Sequence, residues 1–168
     1  MVTATGGAEA RVWEALAEIA DPEIPAISVV DLGVIGEVDI DADRVRVDLL
    51  PTFVGCPAIG VMRDLIQERL GTLRVAPRVE VRVTFDPPWT SARISPVGRE
   101  RLRASGFAPP VAAPSVSGLD ELTVLSSAEC PYCGSRNTTM ENAFGPTLCR
   151  SIHHCADCRQ PFEQFKSI

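Results

Sequence analysis

The stretch TFVGCP at residues 52–57 joins two segments of different periodicity. Residues 44–49, RVRVDL, alternate strictly between polar and apolar side chains, which predicts a strand with one buried face. Residues 58–70 carry apolar side chains at helical spacing, namely Ile59, Met62, Ile66 and Leu70. The stretch therefore predicts a strand-to-helix junction, and it indicates an α+β fold for this part of the chain.

Cys56 occupies the junction, immediately before Pro57. Proline is favoured in the first helical turn, so we expect the cysteine at the positive end of the helix dipole. That position favours the thiolate, which can bind a metal or attack an electrophile. The alternative interpretation is a small buried core residue, because cysteine is among the most buried residue types.

The flanking segments extend the α+β pattern. A hairpin, a third strand and two further helices are predicted at residues 34–40 with 44–49, 78–85, 9–20 and 96–105, and Gly71 is expected to end the helix that follows Cys56. Trp89, in a proline-rich loop after the third strand, is expected either in the core or as an exposed contact. The order predicts a small mixed sheet covered by helices.

A rigid loop at residues 21–25 carries two carboxylates, Asp21 and Glu23. Pro22 forces the preceding residue out of the helical region, so the loop follows the end of the first helix. The sequence allows two interpretations, a solvated turn and a pair of acids near a functional site. The spacing alone favours the turn.

The composition changes after residue 107. Residues 108–118, APPVAAPSVSG, are typical of a semi-rigid linker. We therefore predict an α+β domain over 8–107, a linker over 108–121 and a second domain over 122–168. A domain as small as the second one usually needs a metal or another cross-link to be stable.

Four cysteines of the tail form two C-x2-C pairs, which are Cys130 with Cys133 and Cys155 with Cys158. Two such pairs on neighbouring hairpins can close a tetrahedral site of four thiolates, as in a zinc ribbon. Zinc is the expected ion, although a rubredoxin-like iron site has the same ligands. Four protein ligands leave no open position, so the site is expected to be structural. Cys149 is either a core thiol or a ligand to a second species.

Charge and hydropathy exclude several function classes. The net charge of −6 argues against nucleic-acid binding, which requires a basic surface. No apolar run approaches the length of a membrane span, and the N-terminus does not resemble a signal peptide. We therefore expect a cytoplasmic protein in which the six cysteines serve as ligands or thiols and not as disulfides.

Four segments, at residues 21–23, 29–33, 52–57 and 85–90, resemble in kind and order the motifs of the SufT-like family, also called MIP-type. That family is associated with iron–sulfur cluster assembly, and the resemblance covers residues 8–107. Residues 144–150 and 158–166 are similar to the C-terminal ribbon of the D subunits of the phenylacetyl-CoA epoxidase system. Relatives commonly close with Phe-Lys-Cys, whereas this chain has Ser167 in place of that cysteine.

The resemblance implies roles for particular residues. It makes Cys56 the functional thiol, a transient ligand for iron or an iron–sulfur cluster, with Thr52, Asp21 and Glu23 in support. It also implies an accessory role in maturing a phenylacetyl-CoA oxygenase, and the chain is not expected to be a catalyst by itself. The implied partners are the di-iron oxygenase component, the reductase and a second copy of the chain.

Three other function classes compete with this one. A stably bound structural or regulatory subunit would use the ribbon and Trp89 as docking surfaces. A thiol enzyme would need a base beside Cys56, but both histidines, His153 and His154, lie in the tail. Nucleic-acid binding by the ribbon is opposed by the sparse basic residues of the tail.

Overall fold

Residues 4–110 and 128–167 are described by a computed structural model of the chain. Their contacts divide them into two units, one of residues 4–89 and 93–95, the other of residues 90–92, 96–110 and 128–167. The elements, in chain order, are α1 (Ala4–Ala17), β1 (Ile35–Ile40), β2 (Arg44–Leu49), α2 (Ala58–Leu73), β3 (Arg78–Val83), α3 (Pro96–Ala104), β4 (Phe107–Ala108), β5 (Thr138–Asn142), β6 (Arg150–Cys155) and β7 (Pro161–Phe165).

The first unit contains a three-stranded sheet in the order β1-β2-β3. β1 and β2 are antiparallel, as a hairpin requires, whereas β2 and β3 are parallel. Parallel neighbours need a crossover connection, and α2 supplies it. The sheet is therefore mixed, as the sequence predicts.

One face of this sheet is covered by helices. Val45, Val47 and Leu49 of β2 alternate with polar residues and are buried. α2 buries Ala58, Met62, Ile66 and Leu70, which repeat every four residues on one side of the helix. α1 adds Val12 and Leu16, both fully buried. The two periodicities seen in the sequence thus define the two layers of one core.

A loop before β1, residues 29–34, is fixed by side chains from the segment after β3. Ser95 donates a hydrogen bond from Oγ to Asp31 Oδ1 at 2.7 Å, and Trp89 donates one from Nε1 to the Leu32 carbonyl oxygen at 3.1 Å. Arg93 donates from Nε to the Gly33 carbonyl oxygen at 2.8 Å. Gly33 has φ +74°, and a side chain there would collide with the Arg93 backbone. Side chains from the segment after β3 therefore hold the backbone of this loop in place.

The second unit contains a four-stranded sheet in the order β4-β7-β6-β5. β5, β6 and β7 are antiparallel neighbours, and β4 joins the sheet parallel to β7. Arg150 fastens β4 to β6, because its guanidinium lies over the Phe107 ring and forms an ion pair with Glu163 at 2.9 Å.

Several predicted boundaries are wrong. α1 ends at Ala17 and not at Ala20, because the chain turns to form a bridge between Ala20 and Ser28. α2 continues past Gly71 to Leu73 and ends with Arg74 in the left-handed conformation. β3 ends at Val83, two residues before Phe85. The sequence also predicts short strands at residues 138–141 and 147–153, which correspond to β5 and β6, whereas β4 and β7 are not predicted.

The predicted limits of the domains stay a prediction. The structure groups α3 and β4 with the second unit, although the sequence predicts a first domain that extends to residue 107. Residues 111–127, which include most of the predicted linker, lie outside the described residues. Within the described residues, no helix has the length and hydropathy needed to cross a membrane.

Trp89 belongs to the core and is not an exposed contact, because only 4% of its surface is exposed. We predict that Trp89→Phe lowers the free energy of unfolding by about 1–3 kcal/mol, since the buried Leu32 carbonyl oxygen loses its indole donor. Urea unfolding followed by circular dichroism measures the change. Trp13→Phe, at a half-buried position, is the control. A Trp89→Phe protein as stable as the wild type would contradict the prediction.

Candidate functional site

Four cysteine sulfurs of the second unit lie together. The Sγ atoms of Cys130, Cys133, Cys155 and Cys158 are all within 4.8 Å of one another. Two pairs are 3.6 Å apart, Cys130 with Cys158 and Cys133 with Cys155. Four thiolates around a zinc ion, with Zn–S bonds of about 2.3 Å, have sulfurs about 3.8 Å apart. The donor set and its spacing therefore fit zinc.

The surroundings of these sulfurs favour thiolate at one position and oppose it at another. Each C-x2-C pair forms a turn that is called a knuckle here. Backbone N–H groups of the second knuckle lower the pKa of the Cys155 thiol to about 7, and the N–H of Cys158 has the largest effect. Burial raises the pKa of the Cys158 thiol to about 12. A divalent cation at the centre compensates for the burial of such a thiolate. The close approach of four thiol groups thus has its rationale in metal binding.

Polar contacts outside the four sulfurs join the two knuckles. The Asp157 carboxylate accepts hydrogen bonds from Ser135 Oγ at 2.5 Å and from Asn137 Nδ2 at 2.8 Å. These two donors, first Ser135, hold the pKa of Asp157 below its ordinary value. This contact of Asp157 with Ser135 and Asn137 is not predicted from the sequence, although Asp157 stands inside the second C-x2-C pair. It fixes the spacing between the two pairs of ligands.

Cys149 and the two histidines are not part of the sulfur cluster. The Sγ atom of Cys149 lies 3.2 Å from Oγ1 of Thr147, and Cys149 is half-buried. His153 is fully buried, stacks on Phe162 with ring centroids 5.5 Å apart, and has its pKa lowered by burial. His153 is thus a neutral core residue, while the role of Cys149 as a further ligand stays a prediction.

Three motif segments, at residues 29–33, 52–57 and 85–89, lie at one end of the sheet of the first unit. β2 and β3 are parallel, so residues 50–57 and 84–89 leave the sheet at the same end. β1 is antiparallel to β2 and begins at that end, where Ile35 pairs with Leu49. Two hydrogen bonds continue this pairing, from Leu50 N–H to Val34 O at 2.7 Å and from Thr84 N–H to Leu49 O at 3.0 Å.

Cys56 lies at this end, one residue before the N-cap of α2. Its N–H donates to the Phe53 carbonyl oxygen at 3.2 Å, which closes a tight turn that includes Gly55 at φ +87°. Pro57 is the N-cap, and the first turn of α2 has no acidic residue to oppose the positive end of its dipole. Cys56 and Thr52 are both half-buried. The predicted strand-to-helix junction is therefore present.

The carboxylate loop has a structural explanation. Asp21 is buried, and its Oδ1 accepts hydrogen bonds from the N–H groups of Glu23 and Ile24, both at 2.8 Å. Glu23 is exposed. Within residues 4–110 and 128–167, the four cysteines are the only group of three or more side chains close enough to bind one metal ion. Cys56, Asp21 and Glu23 therefore do not form a second metal-binding cluster in this part of the chain.

Two family models match the chain. The model for an iron–sulfur cluster assembly protein matches residues 9–83, and the model for the PaaD zinc beta ribbon domain matches residues 116–166. The fold and the sulfur cluster thus define a protein of two parts, an iron–sulfur assembly domain followed by a zinc ribbon. The four-cysteine centre is a structural zinc site, which confirms the predicted cofactor.

One named relative matches nearly the whole chain, and others match about half of it. A protein of Escherichia coli (strain K12) named as the D subunit of 1,2-phenylacetyl-CoA epoxidase is 36% identical over 94% of this chain and 92% of its own length. The Fe-S protein maturation auxiliary factor SufT of Staphylococcus aureus (strain USA300) is 31% identical over 52% of this chain and 99% of its own length. A solved domain of unknown function, DUF59, from Bacillus anthracis has a TM-score of 0.54 at 26% identity, covering 58% of this chain and 92% of that one.

The chain belongs to the family of 1,2-phenylacetyl-CoA epoxidase D subunits. The resemblance to SufT-like proteins in the first part and to the D-subunit ribbon in the second is confirmed. The α+β class with a four-cysteine ribbon is confirmed as well.

Loss of the metal is expected to unfold the ribbon alone. We predict that Cys155→Ser abolishes zinc binding, because three thiolates and a hydroxyl hold the ion poorly and metal binding contributes about 10 kcal/mol or more to such folds. Elemental analysis gives the zinc content, and hydrogen exchange should show protection lost in β6 and β7 but retained in β2. Cys149→Ser is the matched control and should keep its zinc. A zinc-replete Cys155→Ser protein would refute the assignment.

Proposed function

We propose that this protein is an accessory component of an aerobic phenylacetyl-CoA epoxidase, a ring oxygenase of phenylacetate degradation, and assists the assembly of its iron or iron–sulfur centres. The observation that carries the proposal is the pairing of an iron–sulfur assembly domain with the ribbon of the epoxidase D subunits along one chain. The site of action is Cys56, at the end of the sheet where the three motif segments lie.

The chemistry proposed for Cys56 is ligand exchange. Its thiolate binds iron or a cluster as cargo, and a client thiol or carboxylic acid then replaces it. The bond from iron to Cys56 Sγ breaks as the bond to the client atom forms, and the proton of the client group passes to Cys56. No oxidant or reductant is needed. Because one thiolate holds such a cargo weakly, release to the client is favoured.

Neighbouring residues support this thiol in the proposal. Thr52 stands immediately before the turn that ends at Cys56, and Asp21 holds the carboxylate loop through its two backbone contacts. Glu23, on the same loop, offers an exposed carboxylate for incoming iron. Cys149, close to Thr147, is kept as a ligand for a second species.

The clients proposed are the di-iron oxygenase component and the iron–sulfur flavin reductase of the same system. A second copy of the chain, in a homodimer, is the alternative source of a second thiolate. The location proposed is the reducing cytoplasm, which agrees with the six cysteines being free of disulfides.

The proposal is tested by co-expressing the oxygenase subunits with the wild-type chain or with Cys56→Ala. We predict lower iron content and lower epoxidase activity with Cys56→Ala, because the cargo loses its thiolate. Val97→Ala, which changes an exposed side chain that has no role in the proposal, is the control. Equal iron loading and equal activity with Cys56→Ala would reject the proposal.

A second candidate function is that of a stably bound structural or regulatory subunit. The name of the Escherichia coli relative, which calls that protein a subunit, favours it. Trp89 is no longer available as a docking side chain, since it is buried. Purification of the tagged oxygenase decides between the two: stoichiometric retention of this chain supports a subunit, and fully active oxygenase without it excludes one.

A further inference from the structure

Four large apolar side chains are exposed at the end of the sheet that carries Cys56. Phe53 and Val54, in the loop before Cys56, have 40% and 72% of their surface exposed. Val83 and Phe85, at the end of β3 and just after it, have 38% and 50% exposed. The metal site and the core of the first unit use none of them. Exposed apolar side chains that are grouped in this way often mark an interaction site.

Strand pairing brings these two segments side by side. Leu49 of β2 is the partner of Val83 in the parallel register, and Thr84 donates its N–H to the Leu49 carbonyl oxygen at 3.0 Å. The chain then runs on from Leu49 to Phe53 and from Val83 to Phe85. Both apolar segments therefore start from neighbouring points at the same end of the sheet.

The apolar row on β3 extends beyond its cover. Val81, Val83 and Phe85 are two residues apart, so the first two point to the same face of the strand and the row continues in that direction. Val81 is 9% exposed, against 38% for Val83 and 50% for Phe85. This face of β3 is thus buried at Val81 and exposed to solvent at Val83, where the strand ends. Val83 lies beside Leu49, from which the chain continues to Cys56.

Charge decides what can cover this surface. Residues 49–62 contain no charged side chain, and residues 83–92 contain one, Asp86, which is exposed. The whole chain carries −6. A second copy would bring like charges together, including the two Asp86 carboxylates, which opposes association. An apolar segment flanked by Lys or Arg would bury the exposed rings and pair with Asp86.

We propose that Phe53, Val54, Val83 and Phe85 form a docking surface for an apolar segment of a client protein with basic residues beside it. The surface lies at the same end of the sheet as Cys56, so docking would bring the client's iron ligands to the thiol. The identity of the client rests on the proposed function. The surface itself rests on the exposure, register and charge of the residues named.

The test measures binding of the full-length zinc protein to the purified di-iron oxygenase complex and to the purified reductase. We predict that Val54→Asp and Phe85→Asp each raise the dissociation constant for one of these clients by about tenfold or more. This is the effect expected for side chains that are buried at the centre of an interface. Val97→Asp, which changes an equally exposed apolar side chain on α3, should bind like the wild type. Asp86→Asn should reduce the salt dependence of the association rate. Zinc content and circular dichroism verify folding.

Each outcome decides the matter. Binding by Val54→Asp and Phe85→Asp at wild-type strength, or no binding by the wild type, overturns the proposal. A wild-type dimer in sedimentation that both variants convert to monomer assigns the surface to a second copy and also overturns it. Cys56→Ala is scored on iron content and the surface variants on affinity, so the two proposals can fail separately.

Discussion

The parallel pairing of β2 and β3 is the constraint on which the first unit depends. Two parallel neighbours cannot be joined by a hairpin, so the chain must leave the end of β2, cross the sheet as α2 and return to the start of β3. The turn from β2 into α2 is where Cys56 lies. The ion pair between Asp48 and Arg82, which are partners in this register, fixes the alignment of the two strands. The place of the thiol is thus a consequence of topology.

The two halves of the chain treat their cysteines in opposite ways. The ribbon closes four sulfurs around one ion, with both knuckles joined through Asp157, so its zinc has no free position for exchange. The first unit has one cysteine and no histidine, and its thiol stands in a turn that is half open to solvent. A metal that must stay and a metal that must leave require these different arrangements. The ribbon therefore serves as a fixed structural part, and in the proposed function the exchange chemistry takes place at Cys56.

Local patterns predicted much of this fold, and long-range contacts account for what they missed. The C-x2-C pairs were recognisable because each places its two ligands within four residues, and RVRVDL because its alternation is strict. β4 was missed because Phe107 and Ala108 become a strand only by pairing with Glu163 and Gln164, more than fifty residues away. Gly71 failed as a helix end because Leu70 is buried and the helix continues along the core, so that Arg74 takes the left-handed position. Tertiary packing overrode the local preference at each of these positions.

The motif residues divide into those that hold backbone and those left for chemistry. Asp21, Asp31 and Gly33 are accounted for by turns and by the contacts of Ser95 and Arg93, so their presence in the motifs needs no reaction to explain it. Once they are set aside, the groups proposed to act on a metal reduce to the Cys56 thiol and the exposed Glu23 carboxylate. Two such ligands cannot distinguish one metal ion from another by coordination, since any soft ion would be bound with similarly low affinity. In the proposed function, selectivity would then come from contact between proteins, for which the docking surface proposed at the same end of the sheet as Cys56 is available.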